Sequence, residues 1–227
     1  MNTLFTPGVG GHRQIAPGAM LAPGWLPLRR QRWLVDQFHC WATGPVPMRA
    51  ARVRGHAMSV RTVCLGWHWQ PYRYTRHATD VNGARVLPFP DWMVALGRAA
   101  LRETGYPAGE VDAYNPDTAL VNYYVDASRM GMHQDRDEHS DAPIVSLSIG
   151  DDATFRFGNT ETRNRPYTDL RLASGDLFVF GGPTRLAYHG VTAVHPGTAP
   201  EECGLREGRI NITMRMTGLT DHPEQLW

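Results

Sequence analysis

The segment "MGMHQDRDEHS" (residues 130–140) places one residue between His133 and Asp135, and "LAYHG" adds His189 in an apolar run further along the chain. Two imidazoles and a carboxylate, two of them close in sequence and the third on a later strand, form a facial triad that binds Fe(II) and leaves coordination positions open. The set contains no cysteine, which argues against a zinc or iron–sulfur centre. Taken singly, an acidic loop is more often a solvated turn, and a lone histidine in such a run is more often a core residue. These three residues are therefore candidate catalytic metal ligands if the surrounding elements bring them together.

The segment "GRINITMRM" (residues 208–216) alternates polar and apolar side chains with the period of a β-strand. One face carries Arg209, Asn211, Thr213 and Arg215, and the other carries Ile210, Ile212, Met214 and Met216. The simplest interpretation is an edge strand with its polar face in water. Beside an iron site a second interpretation gains, because a 2-keto dicarboxylate can chelate the metal and still meet a guanidinium at each carboxylate. The apolar face then packs against a second layer.

The segment "LVNYYV" alternates in the same way and presents Asn122 and Tyr124 on one face. A polar pair on a solvent-exposed face is one interpretation. If the two arginines face inward, Asn122 and Tyr124 instead add neutral hydrogen-bond donors to the same pocket.

The elements that must position these residues are mostly short strands. After residue 115 the chain consists of β-rich runs separated by turn residues: "ALVNYYV", "PIVSLSIG", "ATFRFG", "TDLRLAS", "LFVFGG", "LAYHGV" and the arginine strand. Such close spacing without intervening helices favours a double-sheet jelly roll over a parallel α/β fold. We expect an α+β chain that is mainly β, a double-stranded β-helix with bracing helices.

Two helices are predicted upstream. Residues 27–43 place Trp33, Leu34, Phe38 and Trp41 at helical spacing, which is typical of core packing. A second helix follows Asp91, a candidate N-cap, and Gly105 can supply its left-handed end. This helix is expected to brace the sheet.

The bulk properties describe an ordinary globular protein of one domain or one domain with an extension. The 227 residues are 42% hydrophobic and 20% charged, with a formal net charge of +1, so the total makes no case for a strongly basic nucleic-acid binder. The three cysteines are far apart and no secretion signal or long apolar stretch is seen, so a cytoplasmic location is expected. Residues 1–28 are rich in Gly and Pro and predict an extended arm.

Several segments together resemble the AlkB-type Fe(II)/2-oxoglutarate dioxygenases, which demethylate alkylated nucleic-acid bases. They are "HQDRDE", "APIVSLSIG", "FRFG", "GDLFVFGG", "RLAYHG" and the R-x-N-x-T-x-R strand, and the resemblance runs from about residue 58 to residue 215. It implies that His133, Asp135 and His189 ligate iron. It further implies that Arg209, Asn211 and Tyr124 hold the distal carboxylate of 2-oxoglutarate, and that Arg215 and Asn122 meet the carboxylate beside the keto group.

The segment "CLGWHWQPYRYTR" mixes aromatic side chains with arginines. Alone it is typical of an aromatic core strand, although interleaved aromatics and arginines also stack bases and hold phosphates. The resemblance implies a nucleotide-recognition lid, with Trp67 stacked on a flipped base and with Tyr72 and Tyr74 near the backbone. It also implies that Arg163 lies beside the pocket, and that Asp137 and Glu138 stabilise a cationic base of the 1-methyladenine or 3-methylcytosine type.

The implied reaction is oxidative demethylation of N-alkylated bases in DNA or RNA with Fe(II), O2 and 2-oxoglutarate, which releases formaldehyde, succinate and CO2. The implied partner is alkylated nucleic acid, with single-stranded DNA favoured and a monomer sufficient, as in bacterial alkylation repair. The expected segments are an arm (1–28), helices and lid (29–110), a jelly-roll core (111–218) and a tail (219–227). Two alternatives stay open: the same oxidation of a small molecule or protein side chain, and a jelly-roll binding module without catalysis.

Overall fold

The computed structural model describes residues 11–220 with the exception of residue 126. The α-helices of this part are α1 (Leu28–Ala42), α2 (Asp91–Glu103) and α3 (Ala108–Ala113). The strands before α2 are β1 (Arg13–Ala16), β2 (Ala19–Ala22), β3 (Arg49–Val53), β4 (His56–Leu65), β5 (His68–Gln70) and β6 (Arg73–Thr75). The strands after α3 are β7 (Thr118–Tyr124), β8 (Met130–His133), β9 (Ile144–Gly150), β10 (Asp152–Gly158), β11 (Tyr167–Leu172), β12 (Leu177–Phe180), β13 (His189–His195) and β14 (Arg209–Arg215).

Two antiparallel sheets form the body of the protein. The larger sheet has the strand order β1-β2-β12-β9-β14-β7-β4-β3, and the smaller has the order β11-β10-β13-β8. Strands β5 and β6 pair separately as a hairpin. The predicted mainly β jelly roll with bracing helices is confirmed, and each of the seven predicted strand segments contains an observed strand.

Strand β14 lies in the middle of the larger sheet, between β7 and β9. The edge interpretation of this strand is therefore wrong. All seven of its residues are buried, and its Ile and Met side chains share a core cluster with residues of α1 and α2. Because side chains alternate across a strand, the arginine face must point away from these helices, toward the smaller sheet.

The two predicted helices are confirmed with small changes. In α1, Leu34, Phe38 and Trp41 are buried, whereas Trp33 is 41% exposed and packs edge-on against Trp92. Helix α2 begins at Asp91, so Pro90 rather than Asp91 occupies the N-cap position. Gly105 follows the helix in the left-handed conformation (φ 78°), as predicted. No helix within the described ranges is long and apolar enough to cross a membrane.

Several strands lie outside the predicted β unit. The predicted arm supplies β1 and β2, which extend the larger sheet through pairing of β2 with β12, while residues 1–10 lie outside the described residues. Strands β3 and β4 join the same sheet at its other side, where β4 pairs with β7. The larger sheet therefore contains strands from both sides of residue 110. The last residues of the expected tail, 221–227, also lie outside the described part.

Candidate active site

The two candidate histidines lie opposite each other on neighbouring strands of the smaller sheet. Strands β8 and β13 pair so that His133 is the direct partner of His189, and their rings lie 4.5 Å apart. Each Nδ1 is 2.9 Å from a backbone carbonyl, that of Gly131 for His133 and that of Ala187 for His189. Because Nδ1 donates to these carbonyls, the two Nε2 atoms are free to act as ligands.

Asp135 follows β8 and completes the triad. Its Oδ1 is 3.5 Å from His133 Nε2 and its Oδ2 is 3.5 Å from His189 Nε2. The three ligand atoms all lie within 4.8 Å of one another. Burial alone would raise the pKa of this carboxyl, but Arg215 and the histidines hold it well below its usual range. Asp135 is therefore an anionic ligand at neutral pH.

The polar face of β14 points into a buried cavity between the two sheets. The register places Arg209 opposite Tyr124, and Asn211 opposite Asn122 on β7 and Ser148 on β9. All six predicted cosubstrate residues line this inner cavity together with the triad: Asn122, Tyr124, Arg209, Asn211, Thr213 and Arg215. The sheet register thus brings the metal ligands of one sheet to the arginines of the other.

The buried arginines leave hydrogen-bond donors unused inside this cavity. Arg209 is 1% exposed and donates from Nη2 to Ser148 Oγ at 2.9 Å, but its Nε and Nη1 have no hydrogen-bond partner among the described residues. The Nε of Arg215 likewise has no hydrogen-bond partner among the described residues. Burial lowers the pKa of Arg209, as expected for a cation without an anionic partner in contact. Unsatisfied buried guanidinium groups require an anion, and a carboxylate matches their geometry.

Arg215 lies at the metal end of the cavity. Its Nη2 is 2.8 Å from Asp135 Oδ2, and its Nη1 donates to Glu138 Oε1 at 2.8 Å and to the Tyr74 hydroxyl at 3.2 Å. Arg185 binds the other oxygen of Glu138 at 3.1 Å. Glu138 is therefore a buried carboxylate between two guanidinium groups, and through Tyr74 it also contacts the β5–β6 hairpin.

A second, larger opening of about 430 Å³ leads from the surface to the metal ligands; we call it the outer groove. It shares Asn122, Met130, His133, Asp135 and Arg215 with the inner cavity, so the two spaces meet at the triad. Three of the predicted substrate residues line it: Tyr72, Asp137 and Arg163. Tyr72 is 65% exposed at the turn of the hairpin, and Arg163 lies over the Tyr188 ring.

The other three predicted substrate residues, Trp67, Tyr74 and Glu138, are not among those that line the groove. Trp67 is 6% exposed, donates from Nε1 to Asp117 and has the guanidinium of Arg76 3.6 Å above its ring. Its face is thus covered by the protein itself. Trp69, two residues later, does line the groove and donates from Nε1 to Asp137 at 2.8 Å.

The geometry agrees with comparisons to known proteins. The family model of the 2OG-Fe(II) oxygenase superfamily matches residues 18–215, which include the triad and both cavity arginines. The chain belongs to this superfamily. Within it, the chain is of the AlkB type, since an AlkB homologue from Caulobacter vibrioides named as an alpha-ketoglutarate-dependent dioxygenase is 38% identical over 207 residues. That alignment covers 88% of each chain.

Other relatives extend the comparison. The Escherichia coli alpha-ketoglutarate-dependent dioxygenase AlkB is 37% identical over 72% of this chain and 74% of its own length. An Arabidopsis thaliana protein named as a DNA N(6)-methyladenine demethylase is 33% identical over 90% of this chain, which spans about half of that longer relative. The solved structure of OsALKBH1 superposes with a TM-score of 0.79 at 29% identity, covering 90% of this chain and 100% of that one.

The residues present fit the cofactors of this superfamily. Two imidazoles and a carboxylate are the ligand set that Fe(II) takes in such oxygenases, and the unsatisfied guanidinium nitrogens fit the carboxylates of 2-oxoglutarate. Together with O2, these groups supply an oxidant that hydroxylates a C–H bond, while 2-oxoglutarate is converted to succinate and CO2. The chain contributes the ligand geometry and a buried anion site.

Some residues of the site were not predicted from the sequence. Ser146 and Ser148 of β9 bind Asn211 and Arg209, and their alternation in "PIVSLSIG" was an available signal. Arg185 donates to the backbone carbonyl of Asp135 at 2.6 Å, and thereby fixes the loop that carries this ligand. No local pattern marks Arg185, because its partners lie about fifty residues away in the sequence.

Glu138→Gln is expected to destabilise the protein by on the order of 3 kcal/mol, because it removes the negative charge between two buried guanidinium groups. For a chain of this length, such a loss corresponds to a melting temperature about 10 °C lower. Arg215 lowers the pKa of Glu138 in the folded state although burial alone would raise it. The stabilisation is therefore present above the unfolded-state pKa of about 4.3 and is lost as the pH falls through the folded-state value.

Thermal unfolding of both proteins from pH 7 to pH 3 measures this effect. The gap between wild type and Glu138→Gln should be widest at neutral pH and should shrink below about pH 4. Glu161→Gln, on an exposed loop, is the matched control and should leave the melting temperature unchanged. A gap of the same size at every pH would show that the ion pairs are not its cause.

Proposed function

We propose that this chain is a nucleic-acid base demethylase that acts on N-alkylated bases of the 1-methyladenine and 3-methylcytosine type. The observation that carries the proposal is the outer groove, which reaches His133 and Asp135 of the triad and is lined by Trp69, Tyr72 and Arg163. An aromatic wall with arginines at its rim suits a base that has left its stack, together with its phosphates. The Arabidopsis relative is named as a DNA N(6)-methyladenine demethylase, which supports the broader class of methylated nucleic-acid bases.

A carboxylate beside Trp69 favours a cationic base. Asp137 lies on the lining of the groove and accepts a hydrogen bond from Trp69 Nε1, whereas the charge of Asp135 is compensated by Arg215. In a partly buried site, a positive ring gains more from the charge of Asp137 than a neutral one. Base methylation at adenine N1 or cytosine N3 gives the ring this positive charge, so we infer that such lesions are preferred over neutral ones.

We propose that Trp69, and not Trp67, stacks on the base. Trp69 lines the groove, and its hydrogen bond to Asp137 holds the indole beside that carboxylate. Trp67 is enclosed by Arg76 and Asp117 and has no open ring face to offer. Tyr72 remains the candidate for the strand backbone, whereas Tyr74 and Glu138 act through Arg215.

The groove also bears on the form of the nucleic-acid substrate. A base can approach the triad through this groove only after it has left its stack, and this costs least in a single strand. We therefore propose single-stranded DNA as the preferred form. The triad and both cavity arginines form a complete ligand set within a single chain, so we propose that a monomer suffices for the reaction. Three free thiols support a cytoplasmic location.

Formaldehyde and succinate release tests the function directly. Purified protein is incubated with Fe(II), 2-oxoglutarate and short single strands that carry 1-methyladenine, N6-methyladenine or no methyl group. Equal amounts of formaldehyde and succinate from the 1-methyladenine strand, and less from the neutral lesion, are expected. Succinate without formaldehyde from any strand would retain the oxygenase and reject nucleic acid as its substrate.

Trp69→Ala is expected to raise the KM for the methylated strand by about 10- to 100-fold, because stacking contributes about 1–3 kcal/mol per base. Succinate formation without substrate should persist. Trp67→Leu is the matched control: it removes the ring of Trp67, which lies outside the groove, and should change the KM less than threefold. If the two variants exchange these results, the stacking residue is Trp67.

A further inference from the structure

Two residues other than glycine have a left-handed backbone in the described part of the chain, and both lie at the outer groove. Arg54 (φ 50°) lies between β3 and β4, and Tyr72 (φ 73°) lies between β5 and β6. Both side chains line the groove. A long side chain rarely adopts this conformation, which glycine adopts readily. Strain of this kind, retained at a cleft, indicates that the side chain itself has a use.

The side chain of Arg54 is also free of partners. It is exposed, and it makes no hydrogen bond or ion pair with any residue the structure describes. Arg52, two residues earlier, is also exposed, but it donates to the Gly55 carbonyl at 2.9 Å and does not line the groove. A guanidinium that faces a cleft without a counter-charge is a site for an anion, and it binds phosphate with two parallel hydrogen bonds.

The outer part of the groove carries an excess of positive charge. Arg54, Arg136 and Arg163 are exposed on its lining, whereas Asp137 is only partly exposed and Asp135 is buried against Arg215. A ligand that is negative along its outer part, such as a strand with flanking phosphodiesters, matches this arrangement.

We propose that Arg54 binds a phosphate of the target strand beside the nucleotide that enters the groove. This inference rests on the proposed function and adds a contact outside the metal and cosubstrate sites. The β3–β4 turn, with the left-handed backbone at Arg54, places this arginine on the lining of the groove. Tyr72, on the β5–β6 hairpin, is a further exposed residue of the same lining.

Arg54→Asn is the variant that tests the contact, because asparagine tolerates a left-handed backbone but carries no charge. For a methylated five-nucleotide strand, kcat/KM should fall about tenfold relative to its value for the free 1-methyldeoxyadenosine nucleoside, which has no phosphate. The slope of log kcat/KM against log salt should become shallower by about 0.7 for the strand. Arg54→Lys should recover part of the loss, and Arg52→Asn should show neither effect.

Thermal unfolding separates this role from a structural one. If the arginine is retained for binding, Arg54→Asn and Arg54→Gly should melt at or above the wild-type temperature, since both relieve the backbone. An equal loss on strand and nucleoside, or an unchanged salt slope, would overturn the proposal. If the wild type demethylates no strand, anisotropy with an unmodified strand still measures the contact: tighter binding by wild type than by Arg54→Asn supports it, and equal binding rejects it.

Discussion

His189→Ala is expected to lose stoichiometric iron and, with it, on the order of a thousandfold in turnover. His189 is one of two imidazole ligands and lies opposite His133 across paired strands, so no other described residue can replace its nitrogen. Iron content after anaerobic reconstitution, measured beside succinate formation, tests both parts. Retention of one iron per chain in the variant would contradict the assigned triad.

The same strand provides a matched control. His195 ends β13, and its Nε2 lies 2.8 Å from Thr154 Oγ1, remote from the triad. His195→Ala should therefore retain iron and turnover within about twofold. A circular dichroism spectrum unchanged in both variants would show that the loss in His189→Ala is a loss of metal rather than of fold.

Arg209→Met is expected to raise the KM for 2-oxoglutarate about 100-fold. Arg209 is almost completely buried in the cavity and has two unsatisfied nitrogens, so its replacement removes a buried charge-assisted contact to a carboxylate worth about 3 kcal/mol. Replacing a buried arginine by a hydrophobic side chain of similar length often leaves stability unchanged or improves it. The variant should therefore remain folded and bind iron as the wild type does.

Initial rates of succinate release against 2-oxoglutarate concentration measure this change. Arg206→Met, on the exposed loop before β14, is the control and should keep the wild-type KM. The KM for a monocarboxylic 2-keto acid should be similar in wild type and Arg209→Met, because this acid lacks the distal carboxylate. If the substitution raises the KM for both acids equally, Arg209 does not hold that carboxylate.

The central part of the site follows from period-two patterns that the sequence displays. The alternation in residues 208–216 predicts which side chains share a face, and the observed strand has that alternation. The spacing of His133 and Asp135 predicts a shared direction. The alternation does not predict which strands lie beside β14. Its central position results from pairing with β7 and β9, whose residues lie about sixty to a hundred positions away in the sequence.

The directions of the two lid tryptophans were harder to predict, because a turn at one glycine interrupts the regular alternation of side chains. Trp67 and Trp69 are two residues apart and would point the same way on a regular strand. Gly66 has φ 78°, however, and lies so close to the Asp117 carbonyl that a Cβ atom would collide with it. The turn at Gly66 directs Trp67 toward Asp117, and β5 begins only at His68.

Glu138 shows the limit of charge patterns. In "DRDEHS" it resembles its solvated neighbours, and nothing local distinguishes it from Asp137. Its counter-charges, Arg185 and Arg215, come 47 and 77 residues later. These residues are brought together only in the folded chain. Glu138, which was expected to contact the substrate, instead connects Tyr74 of the β5–β6 hairpin to Arg215.

The central position of β14 has a consequence for synthesis of the protein. The three iron ligands have all been synthesised once the chain reaches residue 189. Both arginines belong to β14, which pairs with β7 and β9 and is synthesised only with residues 209–215. A chain interrupted between these points has metal ligands but neither a closed sheet nor a keto-acid site. Within the described residues β14 is the last strand, so the site for 2-oxoglutarate is completed only after all three metal ligands have been synthesised.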